Sequence, residues 1–340
     1  MKKNTKKQLI LKIVLISVSI PLIVGIFIGL AIGNHIAFDV YANNLTEFFN
    51  QGGGEDPATS ETIAKGNDLS RELVREGAVL VKNENNTLPL SKSNNKVNVF
   101  GYNSVDWFYS GSGSGQVYAN GEKQYNICLA LENNGISYNK EIYDYYYNYL
   151  APRGAGSPTD SNNPWSIGTT SENFCVLVEP DLPDSIKNNA KTYSDTAIVT
   201  LSRKGGETED LPLKQYKYNR PTDASKTYLE ASDEEIALLT FVGANFDKVI
   251  VLVNSTNVLQ LDFLESIPGL DSCLIVGNTG NFGANGIYDV LYGDYSPSGK
   301  LTDTYPYDLK TNITYFHGGY ETTGQYQNAN PNTWPYNRNY

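Results

Sequence analysis

The chain has 340 residues, 40% of them hydrophobic, which is enough to bury the core of one large or two modest domains. Its 26 Lys and Arg residues against 37 Asp and Glu residues give a net charge of −11, which excludes a nucleic-acid partner on electrostatic grounds. With two histidines and three widely spaced cysteines, the chain has too few of these residues to favour a histidine-based metal site, a disulfide framework or a Ser-His-Asp triad. We therefore expect no metal and no cofactor, and buried free thiols at Cys128, Cys175 and Cys273.

The N-terminus predicts a membrane anchor. Four lysines lie among the first seven residues, and residues 13–33 then contain no charged side chain. A helix of 21 residues spans about 30 Å, the thickness of a bilayer core, and its basic flank should stay on the cytoplasmic side. We expect residues 1–34 to form this flank and a single plasma-membrane span, with the rest of the chain extracellular. A cleaved signal peptide ending near Ala42 is the alternative.

Residues 35–67 are predicted to be an extracellular linker, because the stretch 50–60 combines Gly, Pro and acidic residues without apolar periodicity. Apolar residues then recur at helical spacing over 69–80, which predicts a helix leading into the first strand. The following segments alternate between short β-branched runs and helical patterns. The predicted strands cover 97–100, 174–178, 197–201, 249–253 and 274–276, and the predicted helices cover 127–132, 233–243 and 286–291.

This alternation predicts an α/β fold over residues 68–320, a three-layer sandwich with a mostly parallel sheet of about six strands and helices on both faces. Ser232 and Glu235 have the spacing of a helix capping box, which is a purely structural signal. The tail, residues 321–340, does not resolve into an element. In such folds ligands meet the loops at the carboxyl ends of the strands.

A charged loop, residues 202–210, follows the predicted strand 197–201 and contains Glu207, Glu209 and Asp210. A carboxyl group beside the flexible pair Gly205-Gly206 could swing to a bond that it must protonate, and glycoside hydrolysis needs such an acid together with a second carboxyl group. A solvated, charged turn is the alternative interpretation.

Two other loop features are less specific. The Gly/Ser-rich stretch 111–115 lacks the lysine and the spacing of a nucleotide-binding loop, so close approach to a ligand or a neighbouring domain explains it equally well. Asp106 and Trp107 form a carboxylate-indole pair of a kind common in sugar sites. A loop aspartate beside a half-buried tryptophan is the alternative.

Several blocks of sequence together resemble glycoside hydrolase family 3, the family of many β-glucosidases, in the α/β sandwich domain that usually follows its barrel. The blocks are EGAVLVKNE with LPL at 76–90, VNVFG at 97–101 with the later GSGSG, SRKGGETED at 202–210, YLEASDEE at 228–235, and DVLYGDYSPSGKL with TYP at 289–306. They cover roughly residues 68–318 in the family's order.

The resemblance implies that Glu207 is the acid/base of a retaining glycosidase, with Glu209 and Asp210 as runners-up in the register of the loop. It places Arg203 as a neighbour able to hold the carboxylate or the sugar, and it leaves Asp210, Asp106 and Trp107 as further candidate substrate-binding residues. The family's nucleophile is an aspartate on a barrel strand. No such barrel fits within this chain, and Asp106 does not take that role.

The order of anchor, linker and sandwich resembles circularly permuted family members, and the end at Tyr340 predicts truncation before a barrel. The leading hypothesis is therefore part of a membrane-anchored extracellular β-glucosidase-like enzyme, nearly inert alone, acting on a β-linked gluco-oligosaccharide or glycoside. A barrel domain or a partner chain would complete it. The alternatives are a non-catalytic module that binds carbohydrate or a partner protein and, with less support, a nucleotide-binding receptor domain.

Overall fold

The structure, a computed structural model, describes residues 60–111, 117, 123–150, 176–205, 211, 214–215, 217, 221 and 223–311. The chain divides into two compact units, Met1–Glu61 and Thr62–Tyr340, and the description below concerns the second. No helix within the described residues has both the length and the apolar composition for a bilayer crossing. The predicted anchor at 13–33 and the predicted tail at 321–340 lie outside these residues.

Six strands and seven helices make up the described fold. The strands are β1 (Val79–Asn83), β2 (Lys96–Phe100), β3 (Ser137–Tyr138), β4 (Thr196–Leu201), β5 (Lys248–Val253) and β6 (Ser272–Ile275). The helices are α1 (Ser60–Gly77), α2 (Ile127–Asn133), α3 (Lys140–Leu150), α4 (Asp184–Tyr193), α5 (Asp233–Asn245), α6 (Phe263–Ser266) and α7 (Ala284–Leu291), with short 3₁₀ turns at Tyr102–Ser104 and Leu309–Thr311.

The strands form one sheet in the order β1-β6-β5-β4-β2-β3. Only the edge strand β1 runs antiparallel to its neighbour, and all other pairings are parallel. Every residue of β4 and β6 is buried, as the continuous apolar runs predict for strands covered on both faces. The predicted mostly parallel six-stranded sheet is therefore confirmed.

Alternate residues along the strands enter two separate apolar clusters, one on each face of the sheet. In β4, Val199 packs with helices α3, α4, α5 and α6, whereas Ile198 packs with α1, α2 and α7. In β5, Val251 and Leu252 divide in the same way. Since side chains alternate across a strand, this division places helices on both sides of the sheet.

The sequence patterns correctly predicted the buried central strands. They were less accurate for the edge strand β1, for the ends of α1 and for the segment 174–178. The segment predicted as a strand at 174–178 contributes only an isolated bridge between Val176 and Lys217 among its described residues. The predicted helix over 69–80 ends at Gly77, and β1 begins two residues later because Val79 and Leu80 pair with β6. Helix α1 also begins at Ser60, so residues 60–67 are helical where a linker is predicted.

The tyrosine-rich helix α3 was also missed, and two of its tyrosines donate hydrogen bonds to backbone carbonyls. The hydroxyl of Tyr145 donates to the carbonyl of Asp181 at 2.7 Å, and that of Tyr149 donates to the carbonyl of Val178 at 2.6 Å. Both bonds hold the segment that leads into α4. Some of the chain's 25 tyrosines therefore serve the fold, because a phenol can pack its ring and still donate a hydrogen bond to a carbonyl.

Two of the three cysteines, Cys128 and Cys273, are buried free thiols as predicted, and Cys175 lies outside the described residues. Burial raises the pKa of the Cys273 thiol to about 12, although the charge of Lys82 lowers it. Neither cysteine has the exposed, electropositive surroundings of a reactive thiol.

Helices α1 and α7 touch backbone to backbone. A Cβ atom at Gly286 would lie 2.3 Å from the carbonyl oxygen of Arg71 and 3.0 Å from the amide nitrogen of Arg75. Both arginines also pair with the buried carboxylate of Asp289 on α7, which accepts a 2.7 Å hydrogen bond from Nε of Arg71. The contact and the ion pairs together fix α1 against the sheet layer.

Two glycine-to-alanine substitutions, one in this contact and one away from it, should have opposite effects on the free energy of unfolding. Gly286→Ala should destabilise the domain by about 1–3 kcal/mol, because its methyl group has no space against α1. Gly66→Ala should stabilise it by about 0.5–1 kcal/mol, because Gly66 lies within helix α1 and a methyl group there would have no neighbouring atom within 4 Å. Urea denaturation of residues 60–340 measures the change in unfolding free energy for each variant. Equal changes in the two variants would contradict the close contact between α1 and α7.

Candidate active site

The parallel strands β2, β4, β5 and β6 end at one edge of the sheet, which we call the carboxyl edge. The segments that leave it are 101–109 after β2, 202–205 after β4, 254–257 after β5 and 276–280 after β6. The predicted acid/base loop thus emerges from β4, between the segments of β2 and β5. Residues 206–210, including Glu207, Glu209 and Asp210, lie outside the described residues.

Arg203 is the best-anchored side chain at this edge, with only 1% of its surface exposed. Its guanidinium binds both carboxylate oxygens of Glu235, at 2.8 and 2.6 Å. Its remaining contacts are the carbonyl oxygens of Tyr228 at 2.6 Å, Ser202 at 2.8 Å and Glu230 at 2.8 Å. Burial lowers the pKa of Arg203, but the charge and hydrogen bonds of Glu235, together with Tyr102 and Tyr228, raise it above its ordinary value, so the arginine stays charged.

The same glutamate caps helix α5. The hydroxyl of Ser232 accepts from the amide of Glu235 at 3.1 Å, and Glu235 accepts from the amide of Ser232 at 2.7 Å. The predicted capping box is therefore confirmed. Glu235 serves both partners at once, so it ties the start of α5 to the residue after β4.

The backbone from Ser202 to Gly205, which we call the loop root, is also fixed on its other side. The carbonyl of Arg203 accepts hydrogen bonds from Ser255 at 2.9 Å and from Asn257 at 3.1 Å. The amide of Lys204 donates to the hydroxyl of Tyr228 at 2.9 Å. The point where the chain leaves β4 is therefore held by the β5 segment on one side and by Tyr228, which precedes α5, on the other.

Asn254, fully buried at the end of β5, joins three of the segments. Its Oδ1 accepts from the amide of Phe108 at 2.7 Å, and its Nδ2 donates to the carbonyls of Phe108 at 3.0 Å and Gly277 at 2.6 Å. Its own carbonyl accepts from the hydroxyl of Ser202 at 2.7 Å. This residue was missed in the sequence, where the polar run Asn254-Ser255-Thr256 directly after an apolar strand was the available signal.

Asp106 and Trp107 are both buried, with 4% and 3% exposure. Nε1 of Trp107 donates to Oγ1 of Thr279 at 2.8 Å, which pins the β2 segment to the β6 segment. Oδ1 of Asp106 lies 3.9 Å from Nζ of Lys204, and its Oδ2 has no hydrogen-bond partner among the described residues. Burial raises the pKa of Asp106, and the lysine opposes that rise.

A third buried carboxyl group, Glu179, lies at the same edge. It accepts hydrogen bonds from the hydroxyl of Tyr146 at 2.6 Å and from the amide of Tyr102 at 3.0 Å. Burial raises its pKa to about 8; the two hydrogen bonds oppose this rise, and the charge of Glu235 adds to it. When Glu179 carries a proton, the charges of the nearby buried groups cancel, because Arg203 pairs with Glu235 and Lys204 faces Asp106.

The structure thus brings Arg203 and Asp106 to one edge of the sheet but gives them intramolecular partners. Arg203, Asp106 and Trp107 were predicted to contact substrate. Their side chains are at most 4% exposed, so they would reach a ligand only if the packing around them changed, and contact with substrate stays a prediction. Within the described residues, no group of three His, Cys, Asp or Glu side chains could hold a metal ion.

Comparison with known proteins assigns this fold. The family model of the glycosyl hydrolase family 3 C-terminal domain matches residues 78–339. The chain belongs to this family. It is 34% identical over 242 residues to a β-glucosidase of Ruminococcus albus, covering 71% of this chain and 23% of that protein. It is 28% identical over 251 residues to β-glucosidase A of Butyrivibrio fibrisolvens, covering 70% of this chain and 28% of that protein.

Solved structures of β-glucosidases also match this chain. A β-glucosidase of Paenibacillus barengoltzii matches with a TM-score of 0.59 at 30% identity, over 73% of this chain and 25% of that one. β-Glucosidase 3B of Thermotoga neapolitana, solved with glucose, matches with a TM-score of 0.58 at 26% identity, over 72% of this chain and 32% of that one. The family 3 chain therefore spans about a quarter of the length of the β-glucosidases that it resembles. The predicted permuted order of domains stays a prediction.

The buried carboxyl group of Glu179 makes a pH-dependent prediction. The folded state retains a proton on Glu179 that the unfolded chain releases above about pH 4.5, so this contribution to stability is lost as the pH rises toward 8. In Glu179→Gln, the amide can accept from Tyr102 and donate to Tyr146 without ionising. The variant should therefore gain stability relative to wild type between pH 5 and pH 8, by up to about 1.4 kcal/mol per pH unit.

Urea denaturation at several pH values measures this difference. Glu234→Gln is the matched control, because Glu234 is part-exposed, pairs with Lys217 and has a lowered pKa, so its contribution is constant above pH 6. A stability difference between Glu179→Gln and wild type that does not change with pH would contradict a protonated Glu179.

Proposed function

We propose that this family 3 domain supplies the acid/base carboxyl group of a retaining β-glucosidase-like glycoside hydrolase, with Glu207 as that group. The nucleophile would come from a barrel domain in the same longer protein or in a partner chain. The substrate class is a β-linked gluco-oligosaccharide or glycoside, consistent with the β-glucosidase names of the relatives.

The observation that carries the proposal is the position and construction of the loop root. It leaves β4 at the carboxyl edge, where open α/β sheets meet their ligands. A buried ion pair and backbone hydrogen bonds fix it as far as Lys204, and Glu207 follows three residues later. Such a root supports a carboxyl group that must be placed reproducibly against a bond in another domain.

In the proposed mechanism Glu207 acts twice. As the acid it gives its proton to the glycosidic oxygen while the barrel's carboxylate attacks the anomeric carbon, which forms a glycosyl-enzyme and releases the alcohol. As the base, the resulting carboxylate takes a proton from water, and that water releases the sugar with retained configuration. Asp210 and Glu209 are the other carboxylates of the same loop and remain candidates for substrate contact.

A chimera tests the assignment of Glu207. Residues 78–339 would replace the matching segment of the Ruminococcus albus β-glucosidase, with an aryl β-glucoside as substrate. Glu207→Gln should lower the turnover of a substrate with a poor leaving group about 10²–10⁴-fold, and that of a dinitrophenyl glucoside much less, because a good leaving group departs without a proton. Glu265→Gln, which changes an exposed carboxylate on helix α6, is the matched control and should leave both rates within a few-fold.

Equal losses on both substrates would contradict the acid role of Glu207. Activity of residues 60–340 by themselves, abolished by Glu207→Gln, would refute the requirement for a second domain. Isothermal titration with gluco-oligosaccharides covers the non-catalytic alternative, since binding that survives deletion of residues 203–210 would favour a carbohydrate-binding module.

We further propose that residues 13–33 anchor the protein in the plasma membrane, with the family 3 domain outside the cell. The support is the uncharged stretch of 21 residues behind four lysines.

The anchor predicts that the full chain stays in the membrane fraction after alkaline carbonate washing and retains its original N-terminus. A mature protein that begins at Asn43 and is found in the soluble fraction would show a cleaved signal peptide instead. Replacing Leu22 and Ile23 with lysines should release the intact chain from the membrane fraction, because each charge at the centre of a span costs about 3 kcal/mol.

A further inference from the structure

Helix α1 carries an exposed pair of leucines on the side that faces away from the sheet. Its inner side contacts α7 through the backbone at Gly286, and Val74 is buried on that side. Leu69 and Leu73, one turn apart, are 55% and 63% exposed, more than any other leucine that the structure describes. Single apolar residues are common on protein surfaces, so the leucine pair alone identifies no partner. The residues around it do.

The exposed side of α1 is complementary to a second copy of itself. With 3.6 residues per turn, Leu69 lies at the middle of this side. Lys65 and Glu72 lie on one flank, and Gly66 and Leu73 lie on the other. When a second α1 is laid antiparallel with Leu69 facing Leu69, each Leu73 lies over Gly66 of the second copy. Each Lys65 then lies beside Glu72 of the second copy.

The three pairings need one register, because each pair of residue numbers is centred on residue 69 to within one position. A two-fold axis through Leu69 brings like flanks together, so each isologous contact occurs twice. A Cβ atom at Gly66 would meet no neighbouring atom within 4 Å, so the chain leaves space there for Leu73 of the second copy. A parallel pair would instead place Lys65 beside Lys65 and Glu72 beside Glu72, which repel. The charges therefore favour the antiparallel arrangement.

We propose that α1 is a homodimer interface, in which two copies of this chain pair their α1 helices antiparallel about Leu69. The proposal is independent of the role of Glu207. The helix has 18 residues and is about 27 Å long, so one helix pair buries less than the roughly 1,200 Å² of a standard interface. Association should be weak, with a dissociation constant on the order of 100 µM. Contact with α7 already fixes the helix, so pairing requires little further ordering of the backbone.

Disulfide trapping in the full chain in detergent tests the arrangement. Cys128 and Cys273 are buried, and Cys175→Ser is the background for every variant. Under mild oxidation Leu69→Cys should give a covalent dimer, because the two sulfur atoms meet on the two-fold axis. Leu73→Cys is the matched control and should give at least about tenfold less, because the two positions lie about 12 Å apart along the helix axis. A mixture of Leu73→Cys and Gly66→Cys chains should again cross-link.

Charge reversal tests the flank that carries Lys65 and Glu72. Lys65→Glu or Glu72→Lys, each combined with Leu69→Cys, should lower cross-linking about fivefold or more at low salt, because like charges then meet at both pairs. Both reversals in one chain restore opposite charges and should restore cross-linking. Glu141→Lys changes the net charge equally at an exposed position of α3 and should leave cross-linking unchanged.

Equal cross-linking of Leu69→Cys and Leu73→Cys would indicate random collision or a parallel pair and would overturn the proposal. So would the absence of a covalent Leu69→Cys dimer well above the expected dissociation constant, or a double reversal that does not restore cross-linking. A Leu69→Cys thiol that a small maleimide cannot reach in the monomeric full chain would also overturn it, because another segment of the chain would then cover the leucine pair.

Discussion

The buried ion pair between Arg203 and Glu235 holds the carboxyl edge of the sheet together. A guanidinium with 1% exposure is tolerated only because its partners surround it, and removal of Glu235 would leave a buried charge at a cost of about 3–5 kcal/mol. The pair joins the end of β4 to the start of α5, and the carbonyl of Arg203 binds the segment after β5. The attachment of the loop root to helix α5 depends on this one contact.

Around this pair the carboxyl edge is stabilised by polar groups rather than by apolar packing. Asn254 joins the segments after β2, β5 and β6, and Trp107 adds a hydrogen bond to Thr279. Burial raises the pKa of Glu179 and so favours its neutral form, which lets three buried carboxyl groups coexist with two cations. Buried polar networks of this kind are costly when they are incomplete, so they favour a single arrangement of the loops over several.

Much of the fold was predictable because its determinants are local. The apolar runs of β4, β5 and β6 and the Ser232 capping box are visible in the sequence and are confirmed. Strand β1 was missed because its apolar residues also fit a helical period, and only pairing with the distant β6 decides between the two. Helix α3 was missed because its buried face combines Ile142 and Leu150 with Tyr146, whose hydroxyl finds its partner only in the folded chain.

The candidate site was predictable in part for the same reason. The position of the charged loop after β4 could be read from the sequence, but the partners of its residues could not. Arg203 was predicted to hold the loop carboxylate or the sugar, because its partner Glu235 lies 32 residues away and the capping spacing of Glu235 gives no sign of a second partner. Asp106 and Trp107 were predicted as a carboxylate-indole sugar site, with a loop aspartate beside a half-buried tryptophan as the alternative, because their burial depends on the β4 and β6 segments, which no local pattern reveals.

The most direct test of the central claim is a crystal structure of residues 60–340 that resolves the carboxyl oxygens of Glu207. We predict that the Glu207 carboxyl group is exposed to solvent above the Arg203–Glu235 pair, where a second domain could bring a glycosidic oxygen to it. A Glu207 carboxylate buried in an ion pair of its own domain and directed away from the carboxyl edge would contradict this prediction.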